Sequence, residues 1–393
     1  MTTFQKNIFK LIKSALYGVV VQIDDDFDWE LAKQYGKGHK IIPLLFYGAY
    51  NSKINIPEKI KSEFGLITSG HLFISINQTH EFDSIKKAFL DNNVDFLPLK
   101  GAIQKKLYPK PEMRPMGDID ILIKVEQYNK IKEIMKDFGY VEDKESDHEL
   151  VWIKQKIMVE LHKRVIPSYN EDYYKYFGDG WKLAKQSQNL SSEFYFTPED
   201  NFIYLFTHFS KHYRDAGIGI MHLVDLYVYI KNNQNMNYEY IETELKKLKL
   251  YEFYRNIIRV AGVCFEEEAA SDITDLIINK VFQSGSYGTK EAQAISITVK
   301  KTKHIKNKNN IRLVLFLKRV FMPYKEMCRR HKVLEKYSFL LPFFWLYRVF
   351  QVLFLKHDSI KKELENVKYS EKNSVLKYYE ELSAVGLDFD FKE

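Results

Sequence analysis

The sequence predicts an α+β protein: a small mixed sheet flanked by N-terminal helices and followed by a helical C-terminal domain. Three observations carry that prediction. Strand-like runs, alternating apolar and polar, are confined to residues 94–166, where they mix with short helical stretches. Apolar residues ahead of that stretch recur at helical spacing. Beyond Thr197-Pro198-Glu199-Asp200 the pattern turns wholly helical, and that tetrapeptide is itself a helix start, with a capping threonine, proline at the first position and acids in the first turn.

The elements follow in order. Phe4, Ile8, Leu11, Ile12 and Leu16 share one face of a first helix. Short helices are expected over 28–35 and 41–50, separated by Gly36-Lys37-Gly38, and a longer one over 67–92, stopped by Asp91-Asn92-Asn93. The end of that helix should pack beside a strand over 95–99, so residues 1–93 read as a helical segment packing on the core. The core itself spans 94–196. It holds a helix over 127–138 closed by Gly139, and strands over 148–154 and 157–165 joined by Gln155-Lys156 as a hairpin. Residues 197–299 read as a helical substrate domain, with helices over 201–213, 220–231, 238–248, 251–264 and 271–281. The remainder, 300–393, is a basic and aromatic helical region.

Composition narrows the class. A chain of 393 residues with 45% hydrophobic and 28% charged residues is a folded globular protein. Two cysteines, Cys264 and Cys328, make no disulfide framework and point to a reducing compartment. The N-terminus lacks the apolar core and cleavage site of a signal peptide, so a cytoplasmic protein is expected. The net charge of +7 is uneven: thirteen Lys and Arg face two Glu between Lys300 and Lys336, leaving the rest of the chain acidic. That block suits a polyanion or, through 300–355, peripheral contact with an anionic membrane surface. The apolar run over 339–355 is broken by Pro342, Arg348 and Gln351 and is too short for a membrane span; a buried helix pair with a solvated basic face is favoured over contact with a membrane surface.

The chemistry is concentrated in three carboxylates. Asp118-Ile119-Asp120-Ile121-Leu122-Ile123 alternates as a strand does, so the two aspartates project to one side and the isoleucines to the other. Glu160, between Val159 and Leu161, faces opposite to its apolar neighbours as a third ligand on an adjacent strand would. Carboxylates held so close repel unless a divalent cation lies among them. Upstream, Lys100-Gly101 joins a strand to a helix, a junction at which backbone N–H groups can approach phosphate oxygens.

This constellation resembles the DNA polymerase β-like nucleotidyltransferase superfamily, and more closely the bacterial nucleotidyltransferase-fold proteins. They carry Leu-Lys-Gly, Arg-Pro-x-x-Asp-Ile-Asp and Val-Glu-Leu-His, here Leu99-Lys100-Gly101, Arg114 to Asp120 and Val159 to His162. The wider superfamily's Gly-Ser or Gly-Gly pair is Gly101-Ala102 in this chain. The resemblance implies transfer of a nucleoside monophosphate, AMP from ATP above other triphosphates, to a hydroxyl, with pyrophosphate leaving. It implies Asp118, Asp120 and Glu160 as catalytic residues and ligands of two Mg²⁺ or Mn²⁺ ions. Lys100, Gly101 and Arg114 would contact the triphosphate. For Arg114, a structural ion pair with an aspartate is the second reading, as a surface charge is for Lys100.

Four further residues are candidates for the substrate cleft. His162 shares the face of Glu160, and could touch substrate or orient a carboxylate. His208 and His212 share a helical face with the spacing of a zinc pair, but no third ligand is evident, which favours a polar cleft lining. Asp225 could cap or pair with such a histidine. No RNA-binding module is apparent, so a small molecule or protein is preferred to RNA as acceptor. The alternative is a non-catalytic nucleotide-binding protein, or an antitoxin-like one that binds a partner.

Overall fold

A computed structural model of the chain describes residues 1–286, 288–289, 291–296, 321–322, 324, 327–328, 331–350 and 372–387. Four helices lead: α1 (Thr3–Tyr17), α2 (Trp29–His39), α3 (Ile42–Asn51) and α4 (Glu58–Asp91). Each start has a local cause where a cap is present. The Thr2 hydroxyl accepts the Gln5 N–H while Gln5 Oε1 accepts the Thr2 N–H, and the Asp28 carboxylate accepts the Leu31 N–H. Helix α2 does not stop at Gly36-Lys37-Gly38 as the glycines suggest. A Cβ on Gly36 would lie 2.5 Å from Ile42 Cδ1, so that glycine is a packing residue inside a helix rather than a break.

The sheet follows, with strands β1 (Phe96–Pro98), β2 (Ile119–Ile123), β3 (Val141–Glu145), β4 (Glu149–Lys154) and β5 (Ile157–His162) in the order β1-β2-β5-β4-β3. It is mixed: β2 and β5 run parallel, and every other pairing is antiparallel. The β4–β5 hairpin forms although its turn lacks the usual residues, because Gln155 takes the left-handed conformation at φ 53°. Between β1 and β2 lie the short helix α5 (Gly101–Gln104) and two 3₁₀ turns; α6 (Tyr128–Asp137) connects β2 to β3. After β5 come α7 (Glu171–Phe177) and a two-stranded ribbon, β6 (Lys185–Gln186) and β7 (Phe194–Tyr195).

Five helices close the well-packed body: α8 (Pro198–Asp215), α9 (Ile220–Asn232), α10 (Tyr238–Lys247), α11 (Tyr251–Phe265) and α12 (Asp272–Ser284). Thr197 caps α8 by accepting the Asp200 N–H, as its sequence predicts. Three further helices are described, α13 (Val333–Lys336), α14 (Leu341–Phe350) and α15 (Lys372–Ala384); no residue of α14 is buried, against the buried helix pair expected there. The basic stretch over 300–310 and much of the block over 311–355 lie outside the described residues. No helix among the described residues is long and apolar enough to cross a membrane.

Burial divides the apolar residues into two large cores. One backs the sheet: Ile119, Ile121, Ile123, Val159 and Leu161 meet Phe82, Ile85 and Phe89 of α4 and Ile131, Ile134 and Met135 of α6. The other joins α1, α2 and α3 to α8, α9, α11 and α12. The expected packing of the N-terminal segment on the sheet is therefore split. Only the second half of α4 covers the sheet, while the face of α1 led by Ile8, Leu11 and Ile12 is buried in the other core, against α3 and against helices far along the chain. Phe9 shows this directly, with its ring edge-on to Phe265 and Phe282 at centroid distances of 5.2 and 5.9 Å. Amphipathicity told which face of α1 is buried but not what covers it.

Candidate active site

The period-two geometry of β2 and β5 builds the centre. Ile119, Ile121, Ile123, Val159 and Leu161 enter the core beneath α4 and α6, which turns Asp120, Glu160 and His162 to the opposite face. The parallel register sets Asp120 beside Glu160 and Leu122 beside His162. Asp118 immediately precedes β2, on the same parity as Asp120.

Asp120 is only 2% exposed, and its Oδ1 accepts two bonds of 2.7 Å, from Lys100 Nζ and from His162 Nε2. His162 therefore carries its proton on Nε2, and its Nδ1 is buried without a partner. His162 Nε2 also lies 3.6 Å from Glu160 Oε2. Burial pushes the Asp120 carboxyl upward, but the Lys100 ammonium and the His162 N–H outweigh it and hold the group well below the usual carboxylate range. Glu160 lacks such support. Burial, then the charges of Asp118 and Asp120, raise it to about 7, and burial with Asp120 raises Asp118 as well.

Among the described residues, Asp120, Glu160 and His162 form a group whose ligand atoms all lie within 4.8 Å of one another. The group expected from sequence was Asp118, Asp120 and Glu160. The structure keeps Asp118 close enough to raise Glu160, but the tightest trio takes His162 in its place.

Lys100 reaches Asp120 from a strained turn. Its φ of 41° lies in the left-handed region, which a lysine rarely adopts. The helix that follows lasts only from Gly101 to Gln104, so its dipole is short. Gly101 has a packing reason of its own: a Cβ there would lie 2.8 Å from both Arg114 Nη1 and Met116 Sδ.

Arg114 is tied to the helical side. Its Nε and Nη2 donate to the two oxygens of Asp225 at 3.2 and 2.9 Å, and Nη2 also donates to Gln104 Oε1 at 3.2 Å. Tyr108 adds its hydroxyl to Asp225 Oδ1 at 2.7 Å. Asp225 thus pairs with an arginine and a tyrosine rather than with a histidine, and Arg114 makes the structural ion pair that its sequence left open.

These groups meet in a cavity of about 480 Å³ between the sheet and α8–α9. Lys100, Gly101, Gln104, Arg114, Asp118 and Asp120 line one side; His208, His212, His222, Asp225 and several aromatic residues line the other. Glu160 and His162 are not among the lining residues. Gln104, Tyr108 and His222 take part without any sequence signal that set them apart, since their roles depend on which helix comes to face them.

Residues 25–266 match the model of a family described as "Uncharacterised nucleotidyltransferase", whereas no curated protein and no solved structure gives a significant match. The matched span takes in both walls of the cavity, from ahead of α2 to the end of α11, and exceeds half of the sequence. The chain belongs to this uncharacterised nucleotidyltransferase family.

Proposed function

We propose that this protein is a metal-dependent nucleotidyltransferase that transfers a nucleoside monophosphate, AMP from ATP, to a hydroxyl of a small molecule or protein and releases pyrophosphate. The observation that carries the reading is the pairing of Asp120 with Glu160 in register, with Asp118, Asp120 and Lys100 lining one cavity in a chain of this family.

The residues present fit a divalent cation. Glu160 is raised by burial and by the crowding of Asp118 and Asp120, Asp120 already draws a cation in the Lys100 ammonium, and His162 keeps a buried, unpartnered Nδ1. Asp120 and Glu160, with Asp118 beside them, would hold a hard cation such as Mg²⁺ or Mn²⁺ through oxygen. When bound, such ions supply Lewis-acid charge at the attacking and leaving oxygens of an in-line displacement. The chain's own groups do the rest. Lys100 offers its ammonium to phosphate oxygens, and His162 holds the orientation of Asp120 through the Nε2–H bond. Glu160 would hold the ion nearer the attacking hydroxyl and so help lower that hydroxyl's pKa.

The test is incubation of the purified protein with Mg²⁺, ATP labelled at the α-phosphate and lysate of the source cell. Label should move to a metabolite or macromolecule, and the transfer should vanish in Asp120→Asn. No transfer from any of the four nucleotides by folded protein would replace this reading with that of a nucleotide-binding protein.

A further inference from the structure

The wall of the cavity opposite the carboxylates holds three histidines that the reaction above does not use. His208 and His212 lie one turn apart on α8 with their Nε2 atoms 2.8 Å apart, so one ring donates and the other accepts, and the pair shares a proton. His222, in the first turn of α9, places its ring centroid 6.2 Å from that of His212. Its Nδ1 accepts the Gly219 N–H at 3.3 Å, which leaves Nε2 to carry the ring's proton. All three line the same hollow as Lys100, Asp118 and Asp120.

The rings are uncharged bases in positive surroundings. Burial, then the neighbouring histidines and cations, holds His208 far below its ordinary value and His212 at about 3; for His222, burial outweighs the opposing pull of Asp225. The cations that act on them are Lys100 and Arg114 from the sheet side, Lys40 after α2, and Lys211 on α8. Across the cavity stand Asp118 and Asp120, and His39 acts from behind His222. The carboxylates nearest the rings are matched by arginines: Asp225 by Arg114, and Asp215 by Arg214 Nε at 2.7 Å. Such a wall repels a polycationic acceptor and favours an anion that can supply the charge three neutral imidazoles need in order to be protonated.

We propose that His208, His212 and His222 form a polyphosphate subsite, which binds the pyrophosphate end of the nucleotide and takes up a proton as it does so. The inference rests on the proposed function, since it is the triphosphate that would bring such an anion to the carboxylates. A protonated imidazole against the departing phosphates stabilises charge where it develops.

The experiment is titration calorimetry of the full chain at pH 7.5, at one fixed Mg²⁺ concentration, in two buffers of unlike ionisation enthalpy. The ligands are the α,β-methylene analogue of ATP, inorganic pyrophosphate and AMP. The first two should bind with net proton uptake and AMP without it. A His208→Asn, His212→Asn double variant should lose that uptake and bind roughly 10- to 100-fold more weakly. Uptake that persists in the double variant, heats independent of buffer in the wild type, or equal uptake with AMP would each overturn the subsite. Should the double variant fail to fold, imidazole C–H proton resonances of the wild type take its place: pyrophosphate should move a subset of the 11 histidines downfield, and no movement overturns the proposal. Binding without proton uptake defeats the subsite alone. If neither the analogue nor pyrophosphate binds, the nucleotidyltransferase reading falls with it.

Discussion

Asp225 follows Arg114 by 111 residues, yet its carboxylate takes two bonds from that guanidinium and a third from Tyr108. Both partners of the ion pair are largely buried, with side chains 15% and 10% exposed. Removing one would leave the other desolvated without a counter-charge. Asp225→Ala is therefore expected to destabilise the protein by roughly 3 kcal/mol, read as a lower urea midpoint. An unchanged midpoint would mean that the pair contributes nothing to the fold. At this scale legibility follows sequence distance. Asp118, Asp120 and Glu160 can be read because strand alternation is a local rule that tells which way each side chain points. The tie of Arg114 to Asp225 and the place of His222 are set by how α9 packs, and no spacing within one segment carries that information.

Elements show the same division between local signal and tertiary context. The cap of α8 and the Gly139 stop of α6, at φ 78°, were readable because they are chemistry within a few residues. Gly36 misleads, since a glycine looks the same in a sequence whether it ends a helix or admits a neighbour. Gly48 is of the second kind: a Cβ on it would lie 2.0 Å from the Leu11 carbonyl oxygen, where α3 crosses α1. Gly48→Ala should cost about 3 kcal/mol, despite the better helix propensity of alanine, because two backbones must separate. Gly70, within α4, has nothing within 4 Å of its would-be Cβ. The same change there should be neutral or stabilise by up to about 1 kcal/mol. Thermal unfolding of the two variants decides it, and equal midpoints would refute the close approach of α1 and α3.

At the scale of the molecule, His39 joins three distant parts. It ends α2, its Nε2 donates to the Phe282 carbonyl of α12 at 3.1 Å, and its Nδ1 accepts the Ile220 N–H at the start of α9. Burial depresses its pKa from 6.5 to about 4. A histidine depressed in the folded state stabilises the protein fully above its unfolded value and loses that contribution as pH falls from about 6.5 towards 4. The loss should amount to roughly 3 kcal/mol. His208, His212 and His222 act with the same sign, so the contribution of His39 is the difference in acid sensitivity between wild type and His39→Gln. Identical urea midpoints against pH for the two proteins would show that His39 plays no such part.

The contact of Phe9 with Phe265 and Phe282 has a consequence for how the chain is made. During synthesis α1 emerges long before α11 and α12, and the surface that buries it is completed only when they have left the ribosome. The part of its apolar face that α3 leaves uncovered must wait, exposed or held by a chaperone, while the sheet assembles from residues nearer in sequence. Nascent chains stalled before α11 should therefore protect the sheet from protease and leave α1 open to cleavage. Refolding of the whole chain should be slow for a protein so rich in helix, because its largest core closes over most of its length.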